Sequence, residues 1–347
     1  MKGNNLYCKT DLLVKRTLTI LLTALLLTGC HQQKSNDEGA IHRGIYHWKS
    51  TYNPTEWEKG WMKEHRVDKL YIRLFDIEDG KKAEQPDWRM VPVATTQFLQ
   101  RLPSDMEVVP VVYITVDAIR SLDEKREHKD EFVKKYAQLI AIRIDDMMSE
   151  HYDGTVKEVQ LDCDWTQQTE RCYFELVKAV KTLLHKHGIT LSGTLRLHQL
   201  RQVESLDTIP FDRCLLMCYN TGNLQNASTH NSILDFDDVK PYLRQYHSNV
   251  LHNTDIALPV YGWGVEFEED GTFSRLVNSN QLADAIQTSK ERKVFIREEW
   301  GNPDEIRRTR RALPQLDTAH TIILYHLDSL NLSRYSHDEI EEFYTSQ

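Results

Sequence analysis

Eight short runs rich in Val, Ile, Leu and Tyr recur along this chain, at 41–48, 67–76, 107–116, 156–164, 189–198, 213–219, 256–264 and 321–328. Stretches with helical spacing lie between them, and this alternation limits the fold more than any other feature. The stretch 131–150 carries Phe132, Tyr136, Leu139, Ile140, Ile144 and Met147 at the period of one helix face. The stretch 167–187 carries Tyr173, Leu176, Val177, Val180, Leu183 and Leu184 in the same way, and it stops at Gly188, the residue favoured just past a helix end. Another helix opens at Asn53-Pro54-Thr55-Glu56, with a cap candidate, Pro at the first helical position and Glu at the third. Strands that alternate with helices run parallel and are joined by crossovers. Eight such units predict one closed barrel of the α/β class, a (β/α)8 or TIM barrel. An open doubly wound sheet would show a glycine-rich phosphate turn after its first strand. Neither G-x-G-x-x-G nor G-x-x-x-x-G-K occurs, so no nucleotide cofactor is expected.

The chain is long enough for one such barrel, with 347 residues of which 40% are hydrophobic and 27% charged. Its formal net charge of −9 removes the basic footprint that a nucleic-acid partner would need. Positive charge is concentrated at the amino end. Lys2, Lys9, Lys15 and Arg16 precede an uncharged run over 18–27, which ends in Leu27-Thr28-Gly29-Cys30. A charged start, a short apolar run and small residues before the cut form a secretory signal. The run is about half of the ~20 residues a spanning helix requires. Leu27-Thr28-Gly29-Cys30 resembles the lipobox of bacterial lipoproteins. That resemblance implies cleavage before Cys30, acylation of its sulfur and of the new amino terminus, and anchoring to a membrane, since two or three acyl chains hold where one is marginal. The expected organisation is a signal over 1–29, a polar tether over 30–39 with lipidated Cys30, and a barrel over 40–347. Lys34, Asp37 and Glu38 give the tether a charge pattern similar to that of surface-exposed lipoproteins in Bacteroidetes. The membrane face, periplasmic or external, stays open. Cys163, Cys172, Cys214 and Cys218 remain in the exported part and read as small buried apolar groups.

In barrels of this class the reacting groups sit at the carboxyl ends of the strands. The fourth run ends Gln160-Leu161-Asp162-Cys163-Asp164-Trp165-Thr166. Side chains alternate along a strand, so Gln160, Asp162 and Asp164 share the inner face. Two inward carboxylates are costly unless paired or hydrogen-bonded, and their proximity pushes one upward, as a general acid near neutral pH requires. The bland alternative is a pair of aspartates holding an internal arginine. The fifth run places Thr194, Arg196 and His198 on one face, and Arg196 is the candidate partner of Asp162. Other strand ends carry Tyr46, His47 and Trp48, Arg73 and Asp76, Tyr113, Met217-Cys218-Tyr219-Asn220, Tyr261-Gly262-Trp263, and His326-Leu327-Asp328. Aromatic faces stack on sugar rings, and carboxylates and amides bond hydroxyls. The expected substrate-binding set is therefore Tyr46, Trp48, Asp76, Tyr113, Arg196, His198, Met217, Tyr219, Asn220, Tyr261, Trp263 and Asp328. No metal is expected. The single His-x-His, His185-Lys186-His187, falls at a helix end, where it complements the helix dipole.

These residues resemble glycoside hydrolase family 18, the chitinases and endo-N-acetylglucosaminidases. That family carries D-x-x-D-x-D-x-E on its fourth strand, M-x-Y-[DN] on its sixth and Pro-x-Tyr-Gly on its seventh. Met217-Cys218-Tyr219-Asn220 matches the second motif, and Pro259-Val260-Tyr261-Gly262 matches the third. The first is broken. With Asp162-Cys163-Asp164-Trp165 laid on D-x-D-W, Thr166 stands where the catalytic Glu belongs. It would then only cap the next helix. Shifted by two, Asp164 takes the acid position and Asp162 the assisting one. The resemblance implies a hydrolase acting on a glycan, with Asp164 protonating the leaving oxygen and Asp162 holding or polarising it. Tyr219 and Asn220 would then orient the substrate's own acetamido group. The alternative is a carbohydrate-binding barrel without chemistry.

Overall fold

The computed structural model describes residues 41–345, apart from 86, 124–128, 201–208, 245–253 and 314–319. The expected signal, Cys30 and the tether lie outside the described residues. Among the described residues no helix is long and apolar enough to cross a membrane.

Each of the eight apolar runs forms a parallel strand of one closed sheet. The barrel strands are β1 (His42–His47), β3 (Lys69–Asp79), β6 (Glu107–Ile114), β7 (Glu158–Asp162), β8 (Thr190–Arg196), β9 (Arg213–Met217), β10 (Thr254–Pro259) and β14 (Thr321–Tyr325). They pair in chain order around the barrel, and β1 closes the circle by pairing with both β14 and β3. The fold is therefore the expected (β/α)8 barrel. Short pieces decorate it: β2 (Thr51–Tyr52) pairs with β5 (Gln97–Phe98), and β4 (Met90–Val93) adds to β3 antiparallel.

The alternation in sequence becomes two packed layers. Leu161, Cys163 and Leu195 are buried towards the helices, whereas Gln160, Asp162 and Thr194 are buried inside the barrel. Each fully buried aliphatic or aromatic side chain contributes roughly 1.5–3 kcal/mol. Gly193 is required by this packing. A β-carbon there would lie 2.2 Å from the Phe211 ring, which fills the space above β8. Cys163, Cys172, Cys214 and Cys218 are all buried, as small apolar groups would be.

The helices follow their sequence signals with shifted ends. Helix α1 (Glu56–Glu64) starts two residues later than the Asn53 cap predicts. Thr55 Oγ1 accepts from the Glu58 amide at 3.1 Å, and Glu58 Oε2 accepts from the Thr55 amide at 2.8 Å. This reciprocal pair outcompetes Asn53, whose side chain instead accepts from Gln100. Next come α2 (Val116–Asp123), α3 (Lys129–His151) and α4 (Glu170–His185). Thr169, not Thr166, is the residue at the head of α4, and Gly188 lies past its end at φ +71°. A short helix, α5 (Leu197–Leu200), follows β8, and α6 (Phe236–Arg244) precedes β10.

The run 256–264 was expected to be one strand and is two. Strand β10 stops at Pro259, and the Val260 amide donates to the Tyr325 carbonyl at 2.8 Å. The chain then enters β11 (Gly262–Glu268), which lies between β12 (Phe273–Asn278) and β13 (Val294–Trp300) in an antiparallel sheet. Helix α7 (Leu282–Arg292) completes this insertion around Val277, Leu282 and Ala285. A β-carbon at Gly262 would lie 2.0 Å from the Trp300 ring, so only glycine admits that approach. The chain returns through α8 (Pro303–Ala312) to β14 and ends in α9 (Ser329–Leu332) and α10 (His337–Thr345).

Candidate active site

A cavity of about 750 Å³ opens at the carboxyl ends of the barrel strands. Of the residues that the sequence singled out, it gathers Trp48, Asp76, Tyr113, Asp162, Arg196, Met217, Tyr219, Asn220, Tyr261, Trp263 and Asp328 on one wall or another. Three of the expected catalytic and substrate-binding residues do not reach it. Tyr46 points inward as expected but is fully buried beneath the mouth, where its hydroxyl donates to Gln160. His198 is exposed on α5. Its strand ends early because the Arg196 amide donates to Gln199 Oε1 at 2.7 Å, which starts the helix. Asp164 lies past the end of β7 and off the cavity wall.

The two strand-end aspartates therefore differ. Asp164 is partly exposed and is gripped by Arg196, from Nε and, at 3.2 Å, from Nη2. Asp162 is 3% exposed and lines the cavity. The Thr194 hydroxyl donates to it at 2.6 Å. Arg196 was the expected partner of Asp162, but its hydrogen bonds go to Asp164. Burial pushes the Asp162 carboxyl up; the Arg196 charge and the Thr194 bond oppose this and Asp164 adds to it, leaving it at about 6. That is the range in which a carboxylic acid can hold and release a proton near neutrality.

Aromatic rings surround this acid. Tyr219 stacks on Tyr325 at 5.3 Å and meets Tyr261 edge-on at 6.0 Å, and Tyr261 meets Trp263 edge-on at 5.3 Å. The Tyr219 hydroxyl is buried with no hydrogen-bond partner among the described residues. Such a group is costly unless a ligand completes it. Asn220 sits at φ +56°, a conformation asparagine tolerates better than most residues. Its side-chain oxygen accepts from the Tyr261 hydroxyl at 2.6 Å.

Most of the cavity's other charges are paired. Arg73 holds Asp76 through Nε at 2.7 Å and again through Nη2. Lys49 bridges Asp328 at 2.9 Å and Glu58 at 3.0 Å. Burial pushes the Asp328 carboxyl up, but Lys49 outweighs that and holds it below the usual range. Burial carries His326, also on the wall, down to about 4, so it is neutral at pH 7. Lys49, Tyr325 and Asn331 also line the cavity, close along the chain to Trp48, His326 and Asp328, although no strand-end motif marks them. Asn278, Ser279 and Asn280 carry no signal in the sequence and reach the cavity because the insertion folds over it.

Among the described residues one group of potential metal ligands occurs, Glu64, His65 and His337, with ligand atoms within 4.8 Å of one another. It lies at the opposite end of the barrel, and its imidazoles already face Glu341 and Glu64 at 3.0 Å.

No protein-family model matches the sequence, and a search by sequence returns no curated relative. Solved structures do share the fold. The spore cortex-lytic enzyme SleL of Bacillus cereus aligns over 89% of this chain and 74% of its own, with TM-score 0.52 and 14% identity. A family 18 chitinase of Flavobacterium johnsoniae aligns over 88% and 94%, with TM-score 0.52 and 12% identity. The Group IV chitinase of Ostrinia furnacalis in complex with allosamidin aligns over 88% and 98%, with TM-score 0.53 and 9% identity. The chain thus has the glycoside hydrolase-like (β/α)8 fold of these enzymes. At such identities the likeness is one of architecture, and any activity must be argued from this chain's own residues.

Proposed function

We propose that the cavity binds an N-acetylated glycan and that Asp162 is its proton donor, so that the chain is a glycoside hydrolase. One observation carries this reading: the buried Asp162, with its carboxyl at about 6, shares a cavity with Asn220 and with Tyr219, whose buried hydroxyl has no partner among the described residues. The chemistry is substrate-assisted, the route noted for family 18 enzymes. The Tyr219 hydroxyl donates to the substrate's acetamido oxygen and aims it at the anomeric carbon. That oxygen forms a bond to the carbon while the glycosidic bond breaks, and Asp162 gives its proton to the leaving oxygen. Water then opens the cyclic intermediate and returns a proton to Asp162. Asp164, with both oxygens on Arg196, shapes the field around Asp162 and gives up no proton itself. This exchanges the roles that the sequence reading assigned to the two aspartates.

A second reading, glycan binding without hydrolysis, is favoured by Thr166. With Asp162-Cys163-Asp164-Trp165 laid on D-x-D-W it stands at the family's acid position, and its hydroxyl is engaged with Thr169 at 3.3 Å at the head of α4. Titration with β-1,4-linked N-acetylglucosamine oligomers, followed by tryptophan emission and by reducing-end release, separates the two. Saturable quenching with release that declines as pH rises above about 6 is the expected result. Quenching without release would leave the binding reading, and no quenching would overturn both.

The motif Leu27-Thr28-Gly29-Cys30 supports a reading of the site's cellular setting. We propose export and anchoring through acylated Cys30, with the barrel acting on glycan outside the cytoplasm. Cys30→Ala should move the chain from the membrane fraction to the soluble exported fraction; unchanged fractionation would refute the anchor.

A further inference from the structure

Trp263, on the cavity wall, is held by a carboxylate outside the set discussed so far. Glu299, on β13, has a completely enclosed side chain. Donors from separate segments converge on it. Arg297 Nε reaches Oε1 at 2.6 Å, Trp263 Nε1 reaches Oε2 at 2.7 Å, and the Ser232 hydroxyl also donates to Oε2. Arg297 in turn donates to the carbonyls of Asn226 at 2.7 Å and Leu224 at 3.2 Å. Both belong to the segment that leaves the barrel at Asn220. One buried carboxylate thus ties the insertion sheet, the segment behind Asn220 and the Trp263 indole together.

Burying a carboxylate is costly unless its oxygens are fully bonded, and here several donors meet that need. The return is directional. An indole on a cavity wall rotates broadly about its ring torsion, whereas a charge-assisted bond to its N–H fixes the ring plane. Trp263 is half-buried with its ring on the cavity wall. We propose that Glu299 is a positioning residue for the glycan site. It holds Trp263 as a preformed stacking platform for a sugar ring next to the one that reacts. This rests on the mouth being the glycan site, but the contact itself can be tested without ligand.

Glu299→Gln keeps the shape and the oxygen count of acceptors falls, because the amide nitrogen must face a donor. The ligand-free readout is acrylamide quenching of Trp263, isolated by difference from Trp263→Phe. Glu299→Gln should raise that quenching, and an unchanged value overturns the proposal. With the N-acetylglucosamine oligomers, Glu299→Gln should weaken binding about tenfold, the scale of one lost buried hydrogen bond. The loss should appear in KM, with kcat changed less than about threefold. In a Trp263→Ala background the same substitution should cost less than about twofold, because its route is gone. An equal loss in that background would show that Glu299 acts through the fold in general and would overturn the proposal. Should Glu299→Gln fail to fold, Trp263→Phe, which removes the N–H donor together with the five-membered half of the indole, must weaken binding at least as much or the proposal falls. If wild-type protein binds no oligomer while Glu299→Gln still frees the indole, the glycan reading fails and the contact stands, so the platform role is lost with it.

Discussion

Replacing Asp162 with Asn is expected to lower turnover of N-acetylglucosamine oligomers by about 10²–10⁴-fold, the usual contribution of a positioned general acid, and to stabilise the protein at neutral pH. Both effects have one cause. Burial, only partly offset by Arg196 and Thr194, raises the carboxyl to about 6. The folded chain therefore holds the proton more tightly than the unfolded chain. Stability is fully present below the ordinary carboxylate range and is lost as pH rises through about 6. Above that pH the charge costs the fold about 3 kcal/mol. Asparagine carries no charge, and its oxygen still accepts from Thr194. The variant should melt higher than wild type at pH 7–8, and the gap should close towards pH 4. Calorimetry across that range, beside single-turnover rates, checks both parts. A stabilised variant with unchanged turnover would make Asp162 a structural group and leave the hydrolase reading without its acid. A variant with no pH-dependent gain would deny the raised carboxyl on which that reading stands.

Glu341→Ala is expected to cost about 2–4 kcal/mol at pH 7 without touching the glycan site. This carboxylate, on α10, accepts from Arg43 at 2.8 Å and Arg66 at 2.8 Å and faces His65 Nδ1 at 3.0 Å. It pins the last helix to the amino-terminal end of the barrel. Burial pushes it up, but the bonds from Arg43 and His65 prevail and carry it down to about 2. The sign is opposite to that of Asp162. The stabilisation is present above the ordinary carboxylate range and is lost as pH falls through about 2. It is worth a few kcal/mol, and removing the acceptor leaves Arg43, 12% exposed, with one bond fewer. Chemical denaturation at pH 7 and pH 2.5 measures it. The gap between wild type and variant should be large at the first pH and small at the second. Equal gaps would assign the loss to packing of α10 alone.

The barrel was legible because its cause is local. A strand buried on both faces must be apolar over five to eight residues, and a crossover helix must repeat its apolar positions every three or four. Each of the eight runs carries that demand in its own letters. The inward direction of Gln160, Asp162 and Thr194 was legible for the same reason, since the pleat has period two. Tyr219 and Tyr261 were legible from motifs at strand ends. Periodicity cannot say where a strand stops, however. Strand β7 ends at Asp162, so Asp164 leaves the pleat and turns to Arg196. Strand β8 ends at Arg196 because Gln199 captures its amide, so His198 is carried out to solvent. The insertion was hidden because Gly262–Glu268 continues the apolar text of β10, and its break depends on Trp300 closing over Gly262 from far along the chain. Glu299 was illegible for the same reason, its donors lying up to 67 residues away. The amino-acid order by itself determined eight strands, their inner faces and an aromatic, acidic mouth. Only the tertiary structure decided which carboxylate is enclosed enough to keep a proton, because desolvation is set by neighbours that meet across the fold and not along the chain.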